Sequence, residues 1–299
     1  MLYSRISKGA FHNSAEREDQ PKCLPGTRKV IIEQIMDWVH GADGEEFLMW
    51  LHGPMDAGKS ALAQTIAELS SKEKLLAASF FFDEGVLDRN NKTRFIPTLV
   101  YQFAWSIKEM CVYIQEAIAI DPAIFDRNLS TQVTNLIINP LKKAFEADGG
   151  SRLIHRKVVI IDGLDQCAGS RDQQNIIDVL SKAASELKPR LLILLTSRPE
   201  LPIREAFNQL PQMIISIALD VAYTSRKDVE SLPTSRHSRS QPEPVFEDSV
   251  PQPSKDMTKK WSLFGGRSFF SSNKDIGEIE VSRTLHKRTK TVIASNPID

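Results

Sequence analysis

The sequence predicts an α/β three-layer sandwich with a mostly parallel sheet, and three observations predict it. Between residues 22 and about 220, strand-length apolar runs alternate with segments of helical spacing. The runs at 157–161 and 190–196 are continuous rather than alternating, as expected of strands buried on both faces. The run at 47–52 leads straight into a glycine-bounded loop and then a helical pattern.

In chain order, VIIEQIMDWV (30–39) has helical spacing and places Trp38 in the packing of that helix. Phe47–His52 reads as a strand and Lys59–Ser70 as a helix. Ala78–Phe82 is a second strand. Ile96–Lys108 and Leu129–Glu146 are helical. Lys157–Ile161 is a strand, Asn175–Leu187 a helix, Arg190–Thr196 another strand and Met213–Leu219 the last. Right-handed crossovers bring the loops that follow these strands to one carboxyl edge of the sheet.

Composition bounds the rest. At 299 residues, the chain has room for one full domain and part of another. Hydrophobic residues make up 41%, slightly under the usual share, so part of the chain is expected not to pack. Residues 1–21 are mixed and polar and read as a flexible segment, residues 22–230 as the folded domain. Residues 231–299 hold 12 Ser and 6 Pro and read as a disordered tail, because so little apolar surface cannot offset the entropy of ordering. WSLFGGRSFF (261–270) is that tail's one apolar island, either a stray patch or a short docking motif.

Lys+Arg and Asp+Glu are both 38, so the net charge is zero, which argues against nucleic acid as a primary partner. The cluster His286–Lys290 is too short to change that. No apolar stretch reaches membrane-spanning length, and the first residues carry no signal-peptide core, so no membrane partner is expected. Three cysteines without a CxxC pair suggest a reducing, cytoplasmic setting. The histidines are too scattered for a zinc site.

The sharpest motif is Gly53-Pro54-Met55-Asp56-Ala57-Gly58-Lys59-Ser60. It fits G-x-x-x-x-G-K-S, and it lies between a strand and a helix, the context in which this loop cradles phosphates. Gly53 and Gly58 allow the tight turn, and the helix N-terminus adds its positive end. Lys59 is expected to reach the β and γ phosphates and Ser60 to supply a hydroxyl to Mg²⁺. Asp56 would repel phosphate unless it points outward.

The run VVIIDGLD puts Asp162 at a strand end, as a second candidate for Mg²⁺. Asp165 follows, either as a general base toward water or as a simple loop acid. The strand 190–196 ends in Thr196-Ser197-Arg198-Pro199. Arg198 is a candidate sensor of the γ-phosphate, and Thr196 or Ser197 can orient water. Upstream, Pro25-Gly26-Thr27-Arg28 is placed to touch the base through Thr27 or Arg28. No Asn-Lys-x-Asp follows the acidic strand, which favours ATP over GTP.

Together, CLPGTR (23–28), WLHGPMDAGKSALAQTIAE, ASFFF (78–82), RFIPTLVYQFA (94–104), VVIIDGLDQC and LLTSRPE resemble the signal-transduction NTPases with a NACHT module. The resemblance is to the fungal type related to the nephrocystin-3 N-terminal domain, and it covers about 22–230. It implies a nucleotide-dependent switch, closed with ADP, open and oligomeric with ATP, with slow or regulatory hydrolysis. It also implies a signalling protein partner. By position it matches Lys59 and Ser60 to phosphate binding, Asp162 to the Mg²⁺ acid, Asp165 to a second acid and Arg198 to the sensor. Gln166 stands where the family often has an acid, which argues against efficient hydrolysis. Asp220 and Asp228-Val229 look like the start of a linker to the family's helical region. Such proteins usually continue into winged-helix, helical and repeat regions, one of which often supplies a His to the ADP β-phosphate. The Ser/Pro-rich stretch suggests instead a truncated relative or a misread coding end.

Two other classes compete. A non-catalytic scaffold or decoy would act through oligomerisation or its tail. A metabolic kinase would need an acceptor pocket and usually fewer than the roughly 100 residues found between the loop and Asp162.

Overall fold

The computed structural model describes residues 1–41, 46–147, 156–210 and 214–219. The late Asp220 and Asp228-Val229, His155, and everything expected of 231–299 lie outside the described residues.

Among the described residues, five strands form one sheet: β1 (Leu48–His52), β2 (Leu76–Phe81), β3 (Lys157–Asp162), β4 (Leu191–Ser197) and β5 (Ile214–Ala218). Their order is β2-β3-β4-β1-β5, and every neighbouring pair is parallel. The sandwich expected from the sequence is therefore present. Successive strand residues face opposite sides of a sheet. All seven residues of β4 and the last five of β3 are buried, so both faces of the sheet centre are covered. β5 is partly exposed, as befits an edge strand.

The α-helices described around the sheet are α1 (Lys29–His40), α2 (Lys59–Lys72), α3 (Phe95–Ser106), α4 (Met110–Ile120), α5 (Leu129–Val133), α6 (Asn139–Ala147), α7 (Ser170–Leu187) and α8 (Leu201–Asn208). In α1 the residues Ile31, Ile35, Trp38 and Val39 are buried at helical spacing, and Trp38 Nε1 donates to the Glu46 carbonyl at 3.0 Å. The Gly41 N–H closes α1 onto the carbonyls of Asp37 and Trp38. Phe80, Phe82 and Phe95 pack ring to ring where β2 meets α3.

The single helix expected over 129–146 is instead α5, a π-helical turn at Thr134–Ile138 and α6. The wider turn buries Leu136, Ile137 and Ile138 consecutively, a broader apolar face than a 3.6-residue period presents. Asn128 caps the start by accepting from the Thr131 N–H at 2.9 Å. α4 and α8 were not foreseen. α4 buries only Met110, Ile114 and Ile118, and α8 spans just eight residues.

The larger correction concerns residues 1–21. They were expected to be loose, yet 1–17 pack on β2 and α3 as three short 3₁₀ turns. Leu2, Ile6 and Ala10, four residues apart, are buried in the core. Core side chains supply the hydrogen bonds that the arm's irregular backbone lacks internally. Arg94 Nη1 donates to the carbonyls of Ser4 at 3.1 Å and Ile6 at 2.9 Å, and Arg89 Nη1 to that of Gly9 at 2.8 Å. The Ser7 and His12 N–H groups reach the hydroxyls of Thr98 and Ser79. Phe11 stacks on Tyr101.

Candidate functional site

β1 ends at His52, and the next six residues turn into α2, which starts at Lys59. Gly58 precedes the helix at φ 76°, a left-handed conformation that a side chain disfavours. A Cβ there would also approach Arg28 Nη2 to 2.7 Å. Gly53 answers a different constraint, since a Cβ would come within 2.4 Å of the Leu219 carbonyl oxygen. Ala57 is buried, while Pro54, Met55 and Asp56 are exposed. Asp56 sits at φ 60°, and its exposure leaves its charge to solvent, which answers the repulsion expected of it.

Lys59 Nζ donates to the carbonyls of Gly53 at 2.9 Å and Pro54 at 2.6 Å. The ammonium therefore spans the mouth of the loop. Burial lowers its pKa, while the nearby carboxylates of Asp165 and Asp162 favour its charged form.

The sheet order explains the second half of the site. β4 lies between β1 and β3, so its tip separates the loop from the acidic strand end. Thr196 pairs with Leu51 in register, and Leu195 with Ile161. The next step of the β3–β4 ladder brings the Thr196 hydroxyl to Asp162, donating to Oδ1 at 2.6 Å while accepting from the Gly163 N–H at 3.1 Å. The Ser60 hydroxyl lies close enough to the Asp162 carboxylate to favour its charged form. Burial nevertheless raises the pKa of Asp162, because the charged form is the one burial penalises. The two candidate metal residues, Ser60 from α2 and Asp162 from β3, are thus neighbours.

Asp165 and Arg198 are also together, but as partners of each other. Asp165 Oδ1 accepts from the Arg198 N–H at 2.9 Å and Oδ2 from Nε at 2.6 Å. Arg198 Nη2 further approaches Glu200 at 3.2 Å. This carboxylate pairing raises the pKa of Arg198. Thr196 and Ser197, offered by the sequence as residues to orient water, are fully buried and hydrogen-bonded within the fold, Ser197 accepting from Trp50 Nε1 at 2.9 Å. Their burial follows from β4 being an interior strand, whose tip is still covered where it passes β1.

The upstream turn also has local work. Thr27 Oγ1 donates to the Leu24 carbonyl at 2.8 Å, closing that turn. Arg28, at φ 56°, sends Nη2 to the Ala57 carbonyl at 2.7 Å. It therefore braces the phosphate-type loop itself. Gln166 accepts from the Glu84 N–H at 3.4 Å.

One residue beside the site was not singled out from sequence. Arg17 is buried, its guanidinium lying 3.6 Å above the Phe81 ring, with Nε and Nη2 both donating to Gln64 Oε1 at 3.2 Å. It sits in a polar stretch among other charged residues, and nothing local distinguishes it from a solvated surface arginine.

Among the described residues, no helix is long and apolar enough to cross a membrane. A comparison with curated proteins gives no match. Among solved structures, Drosophila ORC bound to GC-rich DNA and Cdc6 aligns with a TM-score of 0.36 and 11% identity, over 64% of this chain and 28% of that one. C. elegans PCH-2 aligns with a TM-score of 0.31 and 12% identity, over 73% of this chain and 46% of that one. The chain spans less than half the length of either. The nephrocystin 3, N-terminal family profile matches residues 26–198, from the turn that braces the loop to the arginine at the β4 tip. A match over that much of the chain, with a P-loop NTPase-like α/β sandwich beneath it, establishes that the chain belongs to the nephrocystin 3 N-terminal family.

Proposed function

We propose that the domain, drawn as residues 22–230, is a nucleotide-binding switch that takes a magnesium-bound nucleoside triphosphate, ATP in preference to GTP, and turns it over slowly. The observation that carries the reading is the loop 53–60, set between a buried parallel strand and a helix with Lys59 across its mouth. The backbone N–H groups of the loop and the start of α2 would hold phosphate oxygens. Lys59 would exchange its two carbonyl partners for the phosphates.

The proximity of Ser60 to the buried Asp162 fits magnesium, which takes one or two carboxylates and leaves its other positions to phosphate and water. When bound there, the ion would neutralise charge on the phosphates. Thr196 orients the Asp162 carboxylate throughout.

Slow turnover is supported by the state of Asp165. Two donors from Arg198 already engage its oxygens, so a water must share the carboxylate with Arg198 or displace it. Arg198, in turn, can meet a γ-phosphate only by leaving Asp165 and Glu200. That exchange is a workable switch element, and it accords with a NACHT-type signalling role, with oligomerisation and with an unidentified protein partner in the cytoplasm.

The same ion pair favours a second reading, a non-catalytic scaffold or decoy. The test is to denature purified protein, identify any released nucleotide, and titrate Mg-ATP and Mg-GTP into wild type and Lys59→Ala. Adenine nucleotide bound by wild type and lost in the variant supports the switch. Binding unaffected by the substitution sinks the role given to Lys59. Binding without phosphate release favours the scaffold.

A further inference from the structure

The arm enters the candidate site through one side chain. Arg17 stacks on Phe81, and Phe81 is in register with Asp162 on the neighbouring strand. Its fork closes on Gln64, which lies one helical turn beyond Ser60 on α2. Arg17 therefore bridges α2, which carries Ser60, and β2, the strand beside the one that carries Asp162. Asp162 and Arg17 lie near enough to interact through space.

The surroundings concentrate positive charge. Arg89 is a second buried guanidinium beside Arg17; its Nη2 meets Asp83 at 3.1 Å and Glu16 at 3.3 Å, and its buried Nε has no hydrogen-bond partner. Both of those carboxylates are well exposed, so solvent weakens their compensation. Gln64 is fully committed: Oε1 accepts from Arg17, and Nε2 donates to the His12 carbonyl at 2.8 Å and to Glu68 at 3.0 Å. The arm cannot lift from α2 without breaking the Arg17 and His12 bonds together.

We propose that residues 1–17 form a latch coupled to the nucleotide site, with Arg17 as the positioning residue through which seating of the arm and binding of a magnesium–nucleotide strengthen each other. The inference rests on the nucleotide-binding reading and goes beyond it by assigning a role to a segment upstream of the family match. A triphosphate brings net negative charge close to two buried guanidinium groups, which favours the seated arm. Coupling between two binding events is reciprocal, so the seated arm favours the nucleotide by the same factor.

The test uses the full chain and Mg-ATP as the probe. Amide hydrogen exchange is followed at His12 and Arg17, whose N–H groups are bonded to Ser79 Oγ and the Ser14 carbonyl. Mg-ATP affinity is measured for wild type, Arg17→Gln, Arg17→Lys and Lys59→Ala. Expected is slower exchange at both amides with Mg-ATP, no such slowing in Lys59→Ala, and about tenfold weaker Mg-ATP binding in Arg17→Gln. Arg17→Lys keeps the charge without the fork and should recover part of the loss.

Unchanged exchange in a wild type that binds Mg-ATP overturns the latch, whatever the variants do. Slowed exchange with undiminished affinity in Arg17→Gln overturns the part given to Arg17. If Arg17→Gln does not fold, the wild-type exchange result and Arg17→Lys decide. If wild type binds no nucleotide, the functional reading itself fails and the latch falls with it. That outcome is distinct from a working site with an indifferent arm.

Discussion

The loop at 53–60 and the arm at 1–17 both bring a cation near Asp162, Lys59 from one and Arg17 from the other, yet they are held by opposite means. The loop is shaped by its own backbone: a left-handed Gly58, a left-handed Asp56, and carbonyls that engage Lys59 and Arg28. The arm is shaped by residues far away in sequence, with Arg89, Arg94, Gln64, Ser79 and Thr98 as its partners. A segment of the first kind announces itself in a short motif. One of the second kind is invisible until the fold brings its partners together.

The sharpest way to break the contrast is to empty the arm's anchor. Leu2 is completely buried, so Leu2→Ala should destabilise the domain by about 3 kcal/mol if the arm unfolds with it. Urea denaturation followed by tryptophan fluorescence reads this directly. An unchanged midpoint would mean that the arm frays independently.

A pH titration probes the same region. Burial, aided by Arg17 and opposed by Glu68, lowers the pKa of His12 from 6.5 to about 4. Between those values the unfolded chain binds the proton and the folded one does not, so stability falls as pH drops through that window. The loss between pH 7 and pH 5 should be about 2 kcal/mol, and His12→Gln should flatten that part of the profile. A wild-type stability that is level from pH 7 to 5 would refute the buried, neutral imidazole.

The loop should answer to backbone rather than burial. Gly58→Ala forces a side chain into a left-handed φ and toward Arg28, which should cost about 1–2 kcal/mol in thermal or urea unfolding. Binding of Mg-ATP should suffer more than stability does, because the N–H groups would lose their alignment. The smallest effect expected is Thr27→Val, which removes one half-exposed hydroxyl bond to Leu24, about 0.5–1 kcal/mol, with Mg-ATP affinity kept. A large loss of affinity there would restore Thr27 to the ligand.

This division explains what the sequence disclosed. The five strands among the described residues were legible, because β3 and β4 each contain an unbroken apolar run and the glycine-rich loop fixed where β1 ends. The loop and Asp162 were legible as motifs. The mutual capture of Asp165 and Arg198 was not, because both residues were read for what they could do to a ligand rather than to each other. The partners of Thr196 and Ser197 were not legible, because Asp162 and Trp50 meet them only across the neighbouring strands. Arg17 required knowing that Phe81 and Gln64 stand side by side.

The described polypeptide leaves the sheet at Leu219, whose N–H donates to the His52 carbonyl at 2.6 Å and whose carbonyl oxygen crowds Gly53. Viewed mechanically, this is a tether of one hydrogen bond between Leu219 and the strand end from which the phosphate-type loop departs. A pull on the polypeptide beyond Leu219 is borne first at that bond. The loop is therefore the part of the domain closest to any load carried by the residues that follow.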